Sequence, residues 1–209
     1  MKLFDELWEL WLGLPQHPAT FFILLLILIS SVVGFYYHPW YKACVLHPYS
    51  VWRGKRRWTL LTMGLVHNSW QHLIFNVAFL LVMSVGIEKE FQDYYGNKSL
   101  LVYSLLYFVT IFFGALGTTL MNRNNFLFST TGLSSAYFGT ITYFCLLNRN
   151  EVIYDFFGVA VIYGWQCALV LSIVLVFASK IRPNDDVDHW GHFFGSLVAL
   201  FVWLGFGLW

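Results

Sequence analysis

Three short polar patches interrupt otherwise apolar stretches of this chain, and each carries side chains capable of acid–base or nucleophilic chemistry. The first is His67-Asn-Ser-Trp-Gln-His72-Leu-Ile-Phe-Asn76, and the second is Thr131-Gly132-Leu133-Ser134-Ser135-Ala136-Tyr137-Phe138-Gly139. The third is Val187-Asp188-His189-Trp190-Gly191-His192-Phe193-Phe194-Gly195. A serine hydroxyl is a poor nucleophile until a base within hydrogen-bond reach removes its proton, and histidine serves best near neutral pH. The tetrahedral intermediate of acyl transfer then needs donors aimed at its oxyanion. His72 and Asn76 lie four residues apart, so on a helix they share one face and can point at one target. Together with the Ser134 backbone N–H, they could supply those donors. Each part alone has a plainer explanation. A single serine in a membrane helix usually packs or bonds back to its own backbone. An isolated interfacial histidine is more often an anchor, and a buried His–Asn pair can simply tie helices together. The joint pattern is what points to chemistry.

The elements that must position these residues are apolar helices. Of 209 residues, 58% are hydrophobic and 11% charged, against about 25% charged in a soluble domain. Such a chain cannot cover its own surface with polar groups. Aromatics at 21% fit packed helices with interfacial belts. A net charge of +1 offers no electrostatic basis for nucleic-acid binding, and cysteines at 44, 145 and 167 form no disulfide framework. A spanning helix needs roughly 20 apolar residues. Six stretches are candidates, at about 19–37, 71–87, 99–121, 133–147, 156–178 and 189–209, the second, fourth and sixth carrying polar residues or glycines. By parity, the second, fourth and sixth begin on the same side of the membrane, and these are the three that open with the polar patches. Residues 1–18 read as an N-terminal interfacial segment, with Leu3, Leu7, Trp8 and Trp11 at helical spacing. The aromatic connection at about 38–70, with its basic run from Arg53 to Arg57, reads as a loop partly embedded in the bilayer.

These residues resemble the rhomboid intramembrane serine proteases, and the match covers nearly the whole chain. The family's His-x4-His-x3-Asn pattern appears as His67, His72 and Asn76, and its Gly-x-Ser motif as Gly132-Leu133-Ser134. Its Asp-x-x-(Ala/Gly)-His-x-x-Gly motif appears as Asp188-His-Trp-Gly191-His192-Phe-Phe-Gly195. The resemblance implies an all-α membrane protein: a six-transmembrane-helix bundle over 19–209, with the partly embedded loop between helices 1 and 2. It implies Ser134 as nucleophile and His192 as base in a dyad, with His72, Asn76 and His67 on the oxyanion side. It further implies Phe138 against the imidazole, and a small-residue seam at Gly195 and Ala199. Asp188 is expected in the loop entering the sixth span and not as a third triad member. Spacing relative to Gly191 and Gly195 favours His192 over His189. Three departures stand out: Ser135 follows the nucleophile where the family usually has Gly, the usual Trp-Arg pair reads Trp58-Thr59, and the last small position of the sixth span is Ala199 rather than Gly.

The activity so implied is hydrolysis of peptide bonds in or near the transmembrane segments of other membrane proteins, with no metal and no cofactor. The expected location is an integral, multi-pass position, in the form found in a bacterial inner membrane. The family topology puts both termini in the cytoplasm. Against it, Lys2, Lys89, Lys98 and Arg149 lie on the terminus side. Lys42, Arg53, Lys55, Arg56, Arg57, Arg123, Lys180 and Arg182 lie on the site side, so the positive-inside rule predicts the reverse. The fold is weighted above the count, because most of these charges belong to the embedded loop. One alternative is a catalytically inactive relative that binds and guides membrane clients. A transporter would need an intramembrane charge pathway or inverted repeats, and neither is visible.

Overall fold

The computed structural model describes residues 12–158, 160–181 and 187–206, so most of the expected N-terminal interfacial segment lies outside the described residues. After a 3-10 turn at Leu14–Gln16, helix α1 runs over Pro18–Tyr36. Three short helices follow: α2 (His38–Cys44), α3 (Pro48–Trp52) and α4 (Thr59–Thr62). Helix α5 (Trp70–Phe79) passes through one π-helical turn, Leu80–Ser84, into α6 (Val85–Tyr95). Helices α7 (Ser99–Asn122) and α8 (Ser134–Leu147) come next. An antiparallel hairpin, β1 (Val152–Asp155) with β2 (Val161–Tyr163), then leads into α9 (Gly164–Ile181) and α10 (His189–Phe206).

The hairpin corrects the purely helical expectation and moves the start of the fifth long helix from about 156 to Gly164. Its residues, Val152-Ile-Tyr and Val161-Ile-Tyr, are β-branched and aromatic, and a turn with Gly158 at φ 75° joins them. Hydropathy alone cannot separate such a segment from the beginning of a span. The second long helix also extends further than expected, because α6 continues past Glu88. That carboxylate is 1% exposed and accepts the backbone N–H groups of Ala19 and Thr20 at 2.9 and 2.8 Å. These donors belong to the first turn of α1, which has no side-chain cap of its own. A charge the sequence places at a helix end therefore joins two helices.

An apolar core from Leu24 and Ile27 to Tyr103 and Ile111 is joined by buried small polar residues, while the outer helix faces stay apolar. Leu25, Ile29, Leu101, Leu105, Leu169, Ile173 and Phe177 are exposed, whereas Thr110, Thr118, Ser135 and Ser196 are buried. The stretches Pro18–Tyr36 and Trp70–Asn122 contain helix long and apolar enough to cross a membrane. Helix α10 packs along both α7 and α8. The close approach requires Gly195, because a methyl group there would strike the Ser135 carbonyl of α8. Ser196 Oγ, beside it, donates to the Phe138 carbonyl at 3.2 Å.

Candidate active site

Local capping decides where the three site helices begin. Ser69 is the N-cap of α5, its Oγ accepting from the His72 N–H at 3.2 Å. This places His72 in the first turn and Asn76 one turn further along the same face. Helix α8 starts at Ser134, whose N–H belongs to the first turn, where helical N–H groups have no intrahelical acceptor. Asp188 precedes α10 and accepts the Gly191 N–H at 2.9 Å, so His192 sits in the first full turn.

At the junction, His192 Nε2 lies 2.7 Å from Ser134 Oγ. The Phe138 ring stacks on the His192 imidazole, with centroids 4.4 Å apart and planes inclined by 30°. His189 is turned edge-on to His192, with ring centroids 6.2 Å apart. Ser135, the second hydroxyl in the motif, is buried at the seam with α7, where a methyl group on Gly114 would lie 2.7 Å from its Cβ. The geometry thus separates the adjacent serines: Ser134 is half-buried on a cavity, and Ser135 serves packing.

That cavity, of about 370 Å³, is lined by Asn68, His72, Phe75, Ser134, Asp188 and His192, among others. Gly132, next to the lining residue Thr131, has φ 106°, and a methyl group there would lie 2.9 Å from His72 Nε2 and 3.5 Å from Asn76 Nδ2. Asn76 is buried, and its Nδ2 has no hydrogen-bond partner among the described residues. His67 lies deeper, its ring 4.9 Å from that of His72 and its Nδ1 2.9 Å from Ser31 Oγ. Burial, with a smaller contribution from His72, holds the His67 pKa down to about 3, so this ring is neutral. Burial pushes Asp188 the other way, to about 6, against the hydrogen bonds from Gly191 and Thr118 and the charge of His189. Thr118 Oγ1 of α7 lies 2.8 Å from both Asp188 carboxyl oxygens. Asp188 therefore faces α7 and the start of its own helix.

Several residues that hold the site escape a reading by motif. Arg56 donates to the carbonyls of Lys42 and Val45, and Trp58 Nε1 donates to that of Ala43 at 3.0 Å. These acceptors sit at and just past the end of α2, whose last carbonyls need donors. Arg56 stands two residues before Trp58, on a backbone with φ 57°. Tyr137 donates its hydroxyl proton to the Asn76 carbonyl, pinning α5 to α8. Asn68 Oδ1 lies 2.9 Å from His72 Nδ1. A rule of spacing could have found Asn68, since it is one helical turn before His72; the other contacts are tertiary.

Buried small polar residues, outward apolar faces and a polar cavity where helix starts converge define a membrane helical bundle with a site inside it. The rhomboid domain family matches residues 54–208, and the chain belongs to that family, which contains both serine proteases and inactive members. It is an integral membrane protein. It is also similar to RHOMBOID-like protein 4 of Arabidopsis thaliana, at 26% identity over 158 residues, covering 75% of this chain and 35% of that protein. The chain thus spans about a third of the length of this curated relative.

Proposed function

We propose that the chain is an intramembrane serine endopeptidase that cuts peptide bonds in or near transmembrane segments of other membrane proteins. The observation that carries this is the 2.7 Å contact between Ser134 Oγ and His192 Nε2 at the wall of a polar cavity. His192 takes the Ser134 proton as Oγ attacks the scissile carbonyl, then gives it to the leaving amine; water reverses the sequence on the acyl-enzyme. The oxyanion forms near Asn76 Nδ2, the Ser134 N–H and the edge of His72. Phe138 holds the imidazole plane. Asp188 takes no part in proton transfer, since its carboxyl is engaged by Thr118 and Gly191.

In this reading the six spans are α1, the α5–α6 pair, α7, α8, α9 and α10, with α2–α4 as the partly embedded loop. A substrate helix must unwind locally before its backbone can enter, because unsatisfied amides are not tolerated in lipid. The basic residues of the site side need not set the orientation. Arg53 donates to the carbonyls of Tyr49 and Arg123, Arg56 to those of Lys42 and Val45, and Arg123 to that of Leu120. Arg53 thereby ties the first connection to the end of α7, and these cations have a structural role beside any part in orientation.

Ser134→Ala and His192→Ala should each lower cleavage of a membrane-embedded reporter by at least about 10³-fold. A fluorophosphonate probe should label the wild type and not Ser134→Ala. Full cleavage by either variant overturns the dyad. Unlabelled wild type that still binds membrane clients would favour the inactive, client-guiding relative.

A further inference from the structure

The contact between Asn68 and His72 has a chemical consequence for the oxyanion side of the site. His72 Nδ1 and Asn68 Oδ1 are 2.9 Å apart. A carboxamide oxygen only accepts, so the ring nitrogen must carry the proton and donate. A neutral imidazole has one N–H, and with that proton on Nδ1 the other nitrogen is a bare lone pair. The bare atom is Nε2, and this edge of the ring is turned to Gly132, two residues before Ser134. Asn68 and His72 also line the same cavity as Ser134 and His192. A lone pair at this point repels a developing oxyanion, whereas an imidazolium N–H stabilises it.

We infer that Asn68 is a positioning residue that fixes the His72 tautomer, so that His72 donates to the oxyanion only after taking a second proton. The inference rests on the protease reading for its catalytic part, and the tautomer itself does not. With Asn68 in place, neutral His72 is Nδ1–H and leaves oxyanion donation to Asn76 and the Ser134 N–H. Protonation adds Nε2–H as a third donor. The titratable groups around His72 come from three elements. His67 faces it edge-on from the turn before α5, and Ser134 opens α8. Asp188 and His192 line the cavity at the start of α10. All are shared by the Asn68 variants, so a comparison between variants isolates the amide.

The test uses the full chain in lipid nanodiscs, with ¹⁵N-labelled histidine and a His72→Ala sample to assign the His72 signals. At pH 8.5 the wild type and Asn68→Asp should show His72 protonated on Nδ1, and Asn68→Ala should move that proton to Nε2. In parallel, kcat on a membrane reporter is measured at pH 6 and pH 8.5. The pH 8.5 to pH 6 ratio should rise by about tenfold in Asn68→Ala, the scale of part of one oxyanion donor. Asn68→Asp should keep a wild-type fall in activity, displaced to higher pH because a carboxylate favours the imidazolium. A merely structural role would lower kcat equally at both pH values. Wild-type His72 protonated on Nε2 at pH 8.5, or an Asn68→Ala spectrum identical to wild type, overturns the tautomer assignment. An unchanged kcat ratio despite a changed tautomer overturns the catalytic part. A wild type with the expected spectrum and no cleavage defeats the protease reading and leaves the tautomer assignment standing.

Discussion

Gly132 holds φ at 106° in the turn into α8, and a methyl group there would lie 2.8 Å from His72 Cε1 and 2.9 Å from Nε2. Neither atom can yield cheaply, because the ring is held from its other edge by Asn68. Alanine would also have to adopt a backbone conformation that costs about 1–3 kcal/mol. Gly132→Ala should therefore fold, shift the His72 ring, and lose about 10²-fold in cleavage, the scale set by an ångström of misplacement. Fluorophosphonate labelling rates and reporter cleavage check this; unchanged rates would mean that Gly132 does not position the oxyanion side. Ser135 shows the converse. The Gly-x-Ser spacing favours the first of two adjacent hydroxyls, and burial at the α7–α8 seam leaves the second, Ser135, to packing.

Among the elements, α10 carries His192, the proposed base, and its start is set by Asp188 and Thr118 rather than by the contact with Ser134. The folded-state pKa of Asp188 is raised from 3.8 to about 6 by burial. A raised carboxyl pKa favours the protonated form in the folded protein. Its stabilising contribution is complete below about 3.8 and is lost as pH rises through about 6. Wild-type thermal stability in nanodiscs should therefore fall across this window. Asn at the same position keeps the N-cap and the Thr118 contact without titrating, so Asp188→Asn should lack this component of the slope. Parallel melting curves for the two proteins from pH 4 to pH 8 decide the matter, and identical slopes would count against it. Glu88 makes the matching link at the other end of the bundle, where it caps α1 from α6.

Across the whole molecule, the loop between α1 and α5 is the support on which the site turn rests. Leu46 pairs with Thr130 through two backbone hydrogen bonds of 3.1 Å, and Gly132 N–H donates to the Met63 carbonyl at 2.9 Å. Arg56 anchors this support by donating to the carbonyls of Lys42 and Val45. Methionine keeps both the strain of the left-handed backbone at position 56 and an apolar stem of similar reach, so Arg56→Met isolates the loss of the guanidinium. Hydrogen bonds from a charged group contribute about 1–2 kcal/mol here. The variant should melt roughly 2–8 °C below wild type by differential scanning fluorimetry in detergent. A melting temperature equal to wild type would remove Arg56 from the scaffold.

How much of this was legible in the chain follows from the range of the forces involved. The apolar runs, the Ser69 and Asp188 caps and the one-turn spacing of His72 and Asn76 are local properties, governed by helix geometry and hydropathy. The sequence by itself determined a helical membrane protein and brought Ser134, His72, Asn76 and His192 to helix starts on one side. It could not separate the Val152–Tyr163 hairpin from a span, because a continuous apolar run looks the same in a hydropathy window whichever it forms. It also could not foresee that Glu88 would cap a helix 68 residues away, or that Arg56 would bind the carbonyls at the end of α2. Those contacts pair backbone groups left open at helix ends with whichever side chain packing brings near. Only the tertiary structure decided them, as it decided the 2.7 Å approach of His192 to Ser134, made possible by the close packing of α10 on α8 at Gly195.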